Sequence, residues 1–251
     1  MCGIAGYWGE LPEGDAAALL QRMNDSLVHR GPDGEGAWIG PRVGLAHRRL
    51  AIIDLDGGAQ PMASFDERYQ IVFNGEIYNY RALRQELTGA GYKFHSRSDT
   101  EVIPAAIDYW GVEQGLCKLR GMFAFGLYDR RDETLLLARD AFGIKPLYVG
   151  YAPGLALFAS EPKALLTYQD LDRRADPVAL LDFFTVGAAF SPRTCWSSIR
   201  ELEPGSWLRL SLAGERRGRF HERSFVVTEP IEEEEAVERL ECVLTDSLRA
   251  H

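Results

Sequence analysis

The 251-residue sequence lacks an excess of positive charge, a long hydrophobic run and any closely spaced pair of cysteines. Its 37 acidic and 28 basic residues give a net charge of −9, which argues against nucleic-acid or anionic-membrane binding because both need a basic surface. The richest apolar stretch, Gly121–Tyr128, is far shorter than the roughly 20 residues that span a membrane. We therefore expect no nucleic-acid partner and no membrane partner.

Cysteine and histidine are too sparse and too scattered to predict a metal site. The four cysteines form no CxxC pair, and the five histidines show no metal-ligand spacing. The N-terminus has no apolar targeting segment, and its first basic residue is Arg22. The absence of a signal peptide together with free thiols predicts a reducing, cytoplasmic location.

Short strand-like runs alternate with a few helical segments along the chain. Asp15 is predicted to cap a helix over Ala16–Val28, and Asn74-Gly75 is predicted to form the turn that ends a strand over Tyr69–Phe73. The polar stretch Glu215–Arg219 is predicted to be a connector. Further helices are predicted over Tyr80–Ala90, Thr100–Trp110 (capped by Ser98 or Asp99), Val178–Phe184 and Glu232–Leu248. The pattern indicates packed sheets covered by helices.

Cys2 is the most informative residue of the chain. Removal of Met1, which is usual before a small residue, leaves Cys2 with both a thiol and a free α-amine. An α-amine has a pKa near 7.7–8.0, so it can act as a base at neutral pH and activate the thiol of its own residue. On position alone, however, an ordinary strand residue remains the better interpretation of Cys2.

The motifs that follow Cys2 favour the catalytic interpretation. In chain order they read MCGIAG at 1–6, HRGPDG at 29–34, FNGEIYN at 73–79, SDTEV at 98–102 and RDAFGIKPLY at 139–148. This ordered set resembles a class II glutamine amidotransferase domain, in particular the amidotransferase half of glutamine-hydrolysing asparagine synthetases. The resemblance runs from residue 1 to about residue 225. It implies an α+β fold, namely the four-layer α/β/β/α sandwich of the N-terminal nucleophile hydrolases.

The resemblance also implies a reaction, the hydrolysis of the side-chain amide of L-glutamine to glutamate and ammonia. Cys2 would be the nucleophile that forms a glutamyl thioester. The side-chain amide of Asn74 and the backbone N–H of Gly75 would stabilise the oxyanion, because such a reaction needs donors where negative charge develops.

Recognition of free glutamine needs a cation for its α-carboxylate and an anion for its ammonium group. Arg49 is the candidate for the carboxylate, since its planar guanidinium suits bidentate binding. Asp99 and Glu76 are the candidates for the ammonium. The resemblance further implies backbone contacts to glutamine from Leu50, Ala51, Ile52 and Ile53.

The end of the sequence is expected to belong to a connection between two domains. We divide the chain into an amidotransferase domain over residues 1–225 and a connector with a first helix over residues 226–251. In the family such a segment leads into an ATP-using domain, whose Ser-Gly-Gly-x-Asp-Ser phosphate loop does not occur in this sequence. We therefore expect no cofactor in this chain, with ATP and Mg²⁺ only in a synthetase domain or subunit that receives the ammonia.

An apolar stripe on the last helix has little else in the chain to pack against. We expect it to pack on the synthetase domain or on a second copy of this chain in a homodimer. The stripe consists of Val237, Leu240, Leu244 and Leu248.

The segment Gly187–Pro192 departs from the family pattern. The identity of the acid that accepts the ammonia therefore stays open between aspartate and another acid.

Two alternative functions remain at this point. A retained Met1 would block the α-amine of Cys2 and leave a non-catalytic interaction module with the same fold. An unrelated N-terminal nucleophile hydrolase that acts on another amide is the other alternative. Arg49, Asp99 and Glu76 argue against it, because they suit an amino-acid head group.

Overall fold

Two antiparallel β-sheets form the centre of the protein, in a computed structural model that describes residues 1–51, 58–222 and 231–250. The first sheet contains six described strands, in the spatial order Ile199–Glu201 (β10), Tyr148–Ala152 (β8), Leu155–Ala159 (β9), Gly3–Gly9 (β1), Val43–Arg49 (β3) and Gly34–Ile39 (β2). The second sheet has the order Gly214–Arg219 (β12), Ser206–Ser211 (β11), Thr134–Arg139 (β7), Gly121–Asp129 (β6), Tyr69–Ile77 (β5) and Met62–Ala63 (β4).

Helices cover the outer faces of both sheets. The described helices are Glu13–Ser26 (α1), Tyr80–Gly89 (α2), Val102–Trp110 (α3), Val112–Lys118 (α4), Pro162–Leu165 (α5), Pro177–Val186 (α6) and Glu233–Ala250 (α7). Helices α1 and α5 pack on the first sheet, whereas α2, α3 and α4 pack on the second.

The two-residue alternation of side chains along a strand explains these layers. On β1, Ile4 and Trp8 contribute to a core between the two sheets, while Tyr7 packs against α1 on the other face. On β6, Phe123 and Phe125 face the helices of the second sheet. The fold is thus the predicted four-layer α/β/β/α sandwich.

The predicted turn at Asn74-Gly75 is wrong, because both residues lie inside β5. This strand pairs with β6 along its whole length, with Gly75 opposite Phe123. A Cβ atom on Gly75 would lie 2.3 Å from the carbonyl oxygen of Met122. Glycine at this position therefore permits the close approach of two strands rather than a reversal of the chain.

Two predicted helix caps and one predicted connector are also wrong. Asp15 lies within α1, which begins at Glu13 after Pro12. The N-cap of α3 is Glu101, so the segment Ser98-Asp99 lies before the helix. The Asp99 carbonyl accepts a hydrogen bond of 3.3 Å from the N–H of Val102, but neither side chain makes a cap hydrogen bond to the helix. The predicted connector over Glu215–Arg219 is part of β12, an edge strand that pairs with β11.

The apolar stripe of α7 is not buried against the described part of the chain. Val237, Leu240, Leu244 and Leu248 are each more than half exposed.

No helix in the described ranges combines the length and the apolar character that crossing a membrane requires.

Candidate active site

Strand alternation brings the predicted site residues into the layer between the sheets. Val72 and Leu45 lie in the core between the sheets, so the alternation places Asn74 and Arg49 on the same faces of β5 and β3 as these residues. Cys2 immediately precedes β1, two positions before the buried Ile4. A cavity of about 250 Å³ lies where these strand ends meet. It is lined by the predicted residues Cys2, Arg49, Leu50, Asn74, Gly75, Glu76 and Asp99.

The thiol of Cys2 is half-buried and held against the backbone of Leu50. The Leu50 N–H donates to the sulfur at 3.4 Å, and the Leu50 carbonyl oxygen lies 3.7 Å from it. The carbonyl of Cys2 accepts a hydrogen bond of 2.9 Å from Nε of Arg30. Contacts to the thiol and to the carbonyl therefore fix the position of Cys2.

Arg30 is itself anchored by a carboxylate. It donates to Oε1 of Glu161 at 3.0 Å, and His29 and Lys163 also contact this carboxylate. Burial acts to raise the pKa of Glu161, but hydrogen bonds from His29, Arg30 and Lys163 lower it to about 2. The carboxylate is therefore ionised at neutral pH and holds Arg30 against Cys2.

Asn74 presents a buried donor without a partner. Its side chain is 1% exposed, and Nδ2 makes no hydrogen bond within the described residues. An unpaired buried donor is unfavourable, costing about 1–3 kcal/mol. A donor of this kind on the wall of the Cys2 cavity is suited to an oxygen that becomes negatively charged there.

Asp99 and Glu76 form an acidic corner of the cavity. Asp99 is buried, and its Oδ2 accepts a hydrogen bond of 2.9 Å from the N–H of Ile77. Burial raises the pKa of Asp99, as does the charge of Glu76, while the hydrogen bond from Ile77 acts against them. This corner suits an ammonium group, which would relieve the desolvation of the Asp99 carboxylate.

Arg49 brings a half-buried positive charge to the wall of the cavity. Two residues before it, His47 is fully buried and donates from Nε2 to the carbonyl of Phe73 at 3.2 Å. Burial, reinforced by the charge of Arg49, lowers the pKa of His47 to about 4, so the ring is neutral near pH 7. This hydrogen bond joins β3 to β5 and so fixes Arg49 relative to Asn74.

Of the four residues predicted to contact glutamine through their backbone, Leu50 is the only one within the described ranges that is seen on the wall of the cavity. Leu50 lines the cavity, whereas the N–H of Ala51 donates to Oδ2 of Asp33 at 2.9 Å. Ile52 and Ile53 lie outside the described residues.

Sequence reasoning missed several residues of the cavity wall. Gln60 accepts a hydrogen bond from the N–H of Phe73 at 2.6 Å and lies within 3.5 Å of the Thr100 hydroxyl. The other missed lining residues include Ser98, Met122 and Lys145. Ser98 and Lys145 occur within the motifs of the resemblance, which was the available signal for these two residues.

Comparison with known proteins assigns the family. Residues 1–221 match the family described as the glutamine amidotransferase domain, and the chain belongs to this family. Glutamine-hydrolysing asparagine synthetase 1 of Bacillus subtilis (strain 168) is 38% identical over 254 residues, which cover 100% of this chain and 40% of the relative. Asparagine synthetase B of Escherichia coli (strain K12), also glutamine-hydrolysing, is 42% identical over 170 residues, covering 66% of this chain and 30% of the relative.

A solved structure supports the fold. Glutamine phosphoribosylpyrophosphate amidotransferase from B. subtilis, in complex with ADP and GMP, superposes with a TM-score of 0.63 at 23% identity. The match covers 92% of this chain and 51% of that chain. Membership of the glutamine amidotransferase family excludes the alternative of an unrelated N-terminal nucleophile hydrolase.

Proposed function

We propose that this chain hydrolyses the side-chain amide of L-glutamine and delivers the ammonia to an ATP-dependent synthetase domain or subunit. The observation that carries the proposal is the unpaired Nδ2 of Asn74 on the wall of the cavity that contains the Cys2 thiol. The relatives named as glutamine-hydrolysing asparagine synthetases support it, although the chain spans only 40% of the B. subtilis protein.

Maturation precedes the reaction and removes Met1, which is 55% exposed and lines the same cavity. The freed α-amine of Cys2 accepts the thiol proton, and the thiolate attacks the amide carbon of glutamine. Negative charge then develops on the amide oxygen, where Asn74 Nδ2 and the Gly75 N–H donate to it. The α-ammonium of Cys2 then gives its proton to the amide nitrogen of glutamine, and the C–N bond breaks. Ammonia departs, and a glutamyl thioester remains on Cys2.

Water completes the cycle. The α-amine removes a proton from water as it attacks the thioester, and the C–S bond breaks to give glutamate and the free thiol. Arg49 binds the α-carboxylate of glutamine, and Asp99 with Glu76 binds its ammonium, so only the side-chain amide reaches Cys2. Leu50, Ala51, Ile52 and Ile53 are proposed to contact glutamine through their backbone.

The partner is proposed from the relatives and from α7. We assign residues 1–225 to the amidotransferase domain and residues 226–251 to a connector whose exposed apolar stripe packs on the synthetase or on a second copy of this chain. ATP and Mg²⁺ are assigned to the synthetase, and this chain is proposed to need no cofactor of its own. The four cysteines are all free, in keeping with a cytoplasmic location.

The test is ammonia release from glutamine by the purified chain after intact mass has shown loss of one methionine. Cys2→Ala should abolish the release, because no other group supplies both nucleophile and base, and should leave the circular dichroism spectrum unchanged. Cys195→Ala, which removes another partly buried thiol, should release ammonia at the wild-type rate. Turnover by Cys2→Ala would refute the mechanism, and retention of Met1 with no release would support the non-catalytic alternative.

A further inference from the structure

Lys145 is a buried cation on the wall of the cavity. Its side chain is largely removed from solvent, with the residue 6% exposed, and it lines the cavity together with Cys2 and Asn74. Among the hydrogen bonds and ion pairs of the described ranges, none involves its Nζ. The side chain is therefore held beside the cavity, where its ammonium can pair with a negative charge that is present during function.

The backbone on both sides of Lys145 is held firmly. Oδ2 of Asp140 accepts hydrogen bonds from the N–H of Lys145 at 3.0 Å and from the N–H of Phe123 at 3.1 Å. Nε of Arg139 donates to the Lys145 carbonyl at 2.8 Å. Both Arg139 and Asp140 are buried, so they tie the loop that carries Lys145 to β6 and β7.

The charges around Lys145 include the nucleophile. Burial lowers the pKa of Lys145, and the charge of Arg30 lowers it further. Asp140, the thiolate of Cys2 and Glu76 act in the opposite direction and favour the ammonium form. The interaction is mutual, because an ammonium that is stabilised by a thiolate stabilises that thiolate equally.

We propose that Lys145 is a positioning residue whose ammonium serves as the counter-charge of the Cys2 thiolate. This inference rests on the proposed function, in which the α-amine of Cys2 takes the thiol proton. The S–H bond breaks, an N–H bond forms on the amine, and Lys145 keeps its own protons throughout. Its fixed charge favours the thiolate before glutamine binds, as lysines near reactive cysteines do.

The test measures how fast iodoacetamide alkylates Cys2 as a function of pH, with the modified residue identified by mass spectrometry. In Lys145→Met the midpoint should move to higher pH by about one unit, and alkylation at pH 7 should be about tenfold slower. Lys145→Arg should stay near the wild type because it keeps the charge. Lys118→Met removes an exposed lysine and serves as the matched control, with the wild-type midpoint.

An unchanged midpoint in Lys145→Met would overturn the inference. So would a raised KM for glutamine with an unchanged midpoint, because Lys145 would then bind the glutamine carboxylate. If the Met variant does not fold, Lys145→Gln, which also removes the charge, is measured in its place. A shifted midpoint in the variant without the charge, together with no ammonia release by the wild type, would refute the proposed function while retaining the charge pairing.

Discussion

Replacement of Asn74 by alanine should separate catalysis from stability. The variant loses one oxyanion donor, which typically lowers kcat about 10²–10³-fold, or about 2.7–4 kcal/mol of transition-state stabilisation. KM for glutamine should change little, because the donor acts mainly once the amide oxygen carries charge.

The stability of the same variant should change little. In the free protein Nδ2 of Asn74 is buried without a partner, so its removal relieves a cost of about 1–3 kcal/mol. This gain offsets the packing that is lost with the side chain. We therefore expect a small change in the free energy of unfolding, measured by urea denaturation, beside a large fall in kcat, measured by glutamate release.

Asn79→Ala is the matched control. Nδ2 of Asn79 donates to the carbonyl of Lys118 at 2.9 Å, and its Oδ1 accepts from the N–H of Arg120 at 2.9 Å. The variant should lose about 1–3 kcal/mol of stability, because two hydrogen bonds are removed, and should keep its kcat. The reasoning fails if Asn74→Ala keeps a wild-type kcat and loses as much stability as Asn79→Ala.

Three further predictions concern charge. Arg49→Ala and Asp99→Ala should each lower kcat/KM for glutamine by a factor equivalent to about 2–5 kcal/mol, whereas Arg48→Ala, which removes ion pairs with exposed carboxylates, should not; equal values in all three would show that Arg49 and Asp99 do not bind glutamine. Because burial raises the pKa of Asp99, kcat/KM should fall on the acid side at a higher pH than for an ordinary aspartate, and Asp99→Asn should lack this limb of the pH profile. The lowered pKa of Glu161 contributes stability that is present above pH 4.5 and is lost as the pH falls towards 2; urea denaturation across this range should show the loss in the wild type but not in Glu161→Gln.

The strands that pack on both faces were the predictable part of the fold. Runs such as Met122–Asp129 are apolar at almost every position, and β6 occupies Gly121–Asp129 with buried side chains on both faces. In contrast, β12 is an exposed edge strand rich in arginine, so its sequence carries no alternation and its strand character comes from pairing with β11. The prediction of a turn at Asn74-Gly75 failed for a related reason. This dipeptide is typical of turns, but pairing with β6 holds it in an extended conformation.

The candidate site was predictable as a set of residue types but not as an arrangement. The motifs named Cys2, Asn74 and Asp99, and the cavity includes all three. The unpaired donor of Asn74 and the buried ammonium of Lys145 arise only when two sheets close around them. Burial and partners are properties of the assembled layers, which a linear sequence does not display.

The position of β1 has a consequence for the order of events during synthesis. This strand leaves the ribosome first, yet it lies in the interior of its sheet between β3 and β9. Its second neighbour is complete only when Ala159 has been made, so the nascent N-terminus lacks its final surroundings until then. Pairings of such long sequence separation form slowly, which leaves an interval for an aminopeptidase to remove Met1 from an open chain. A chain that stops before β9 should therefore leave Cys2 outside the assembled cavity and release no ammonia from glutamine.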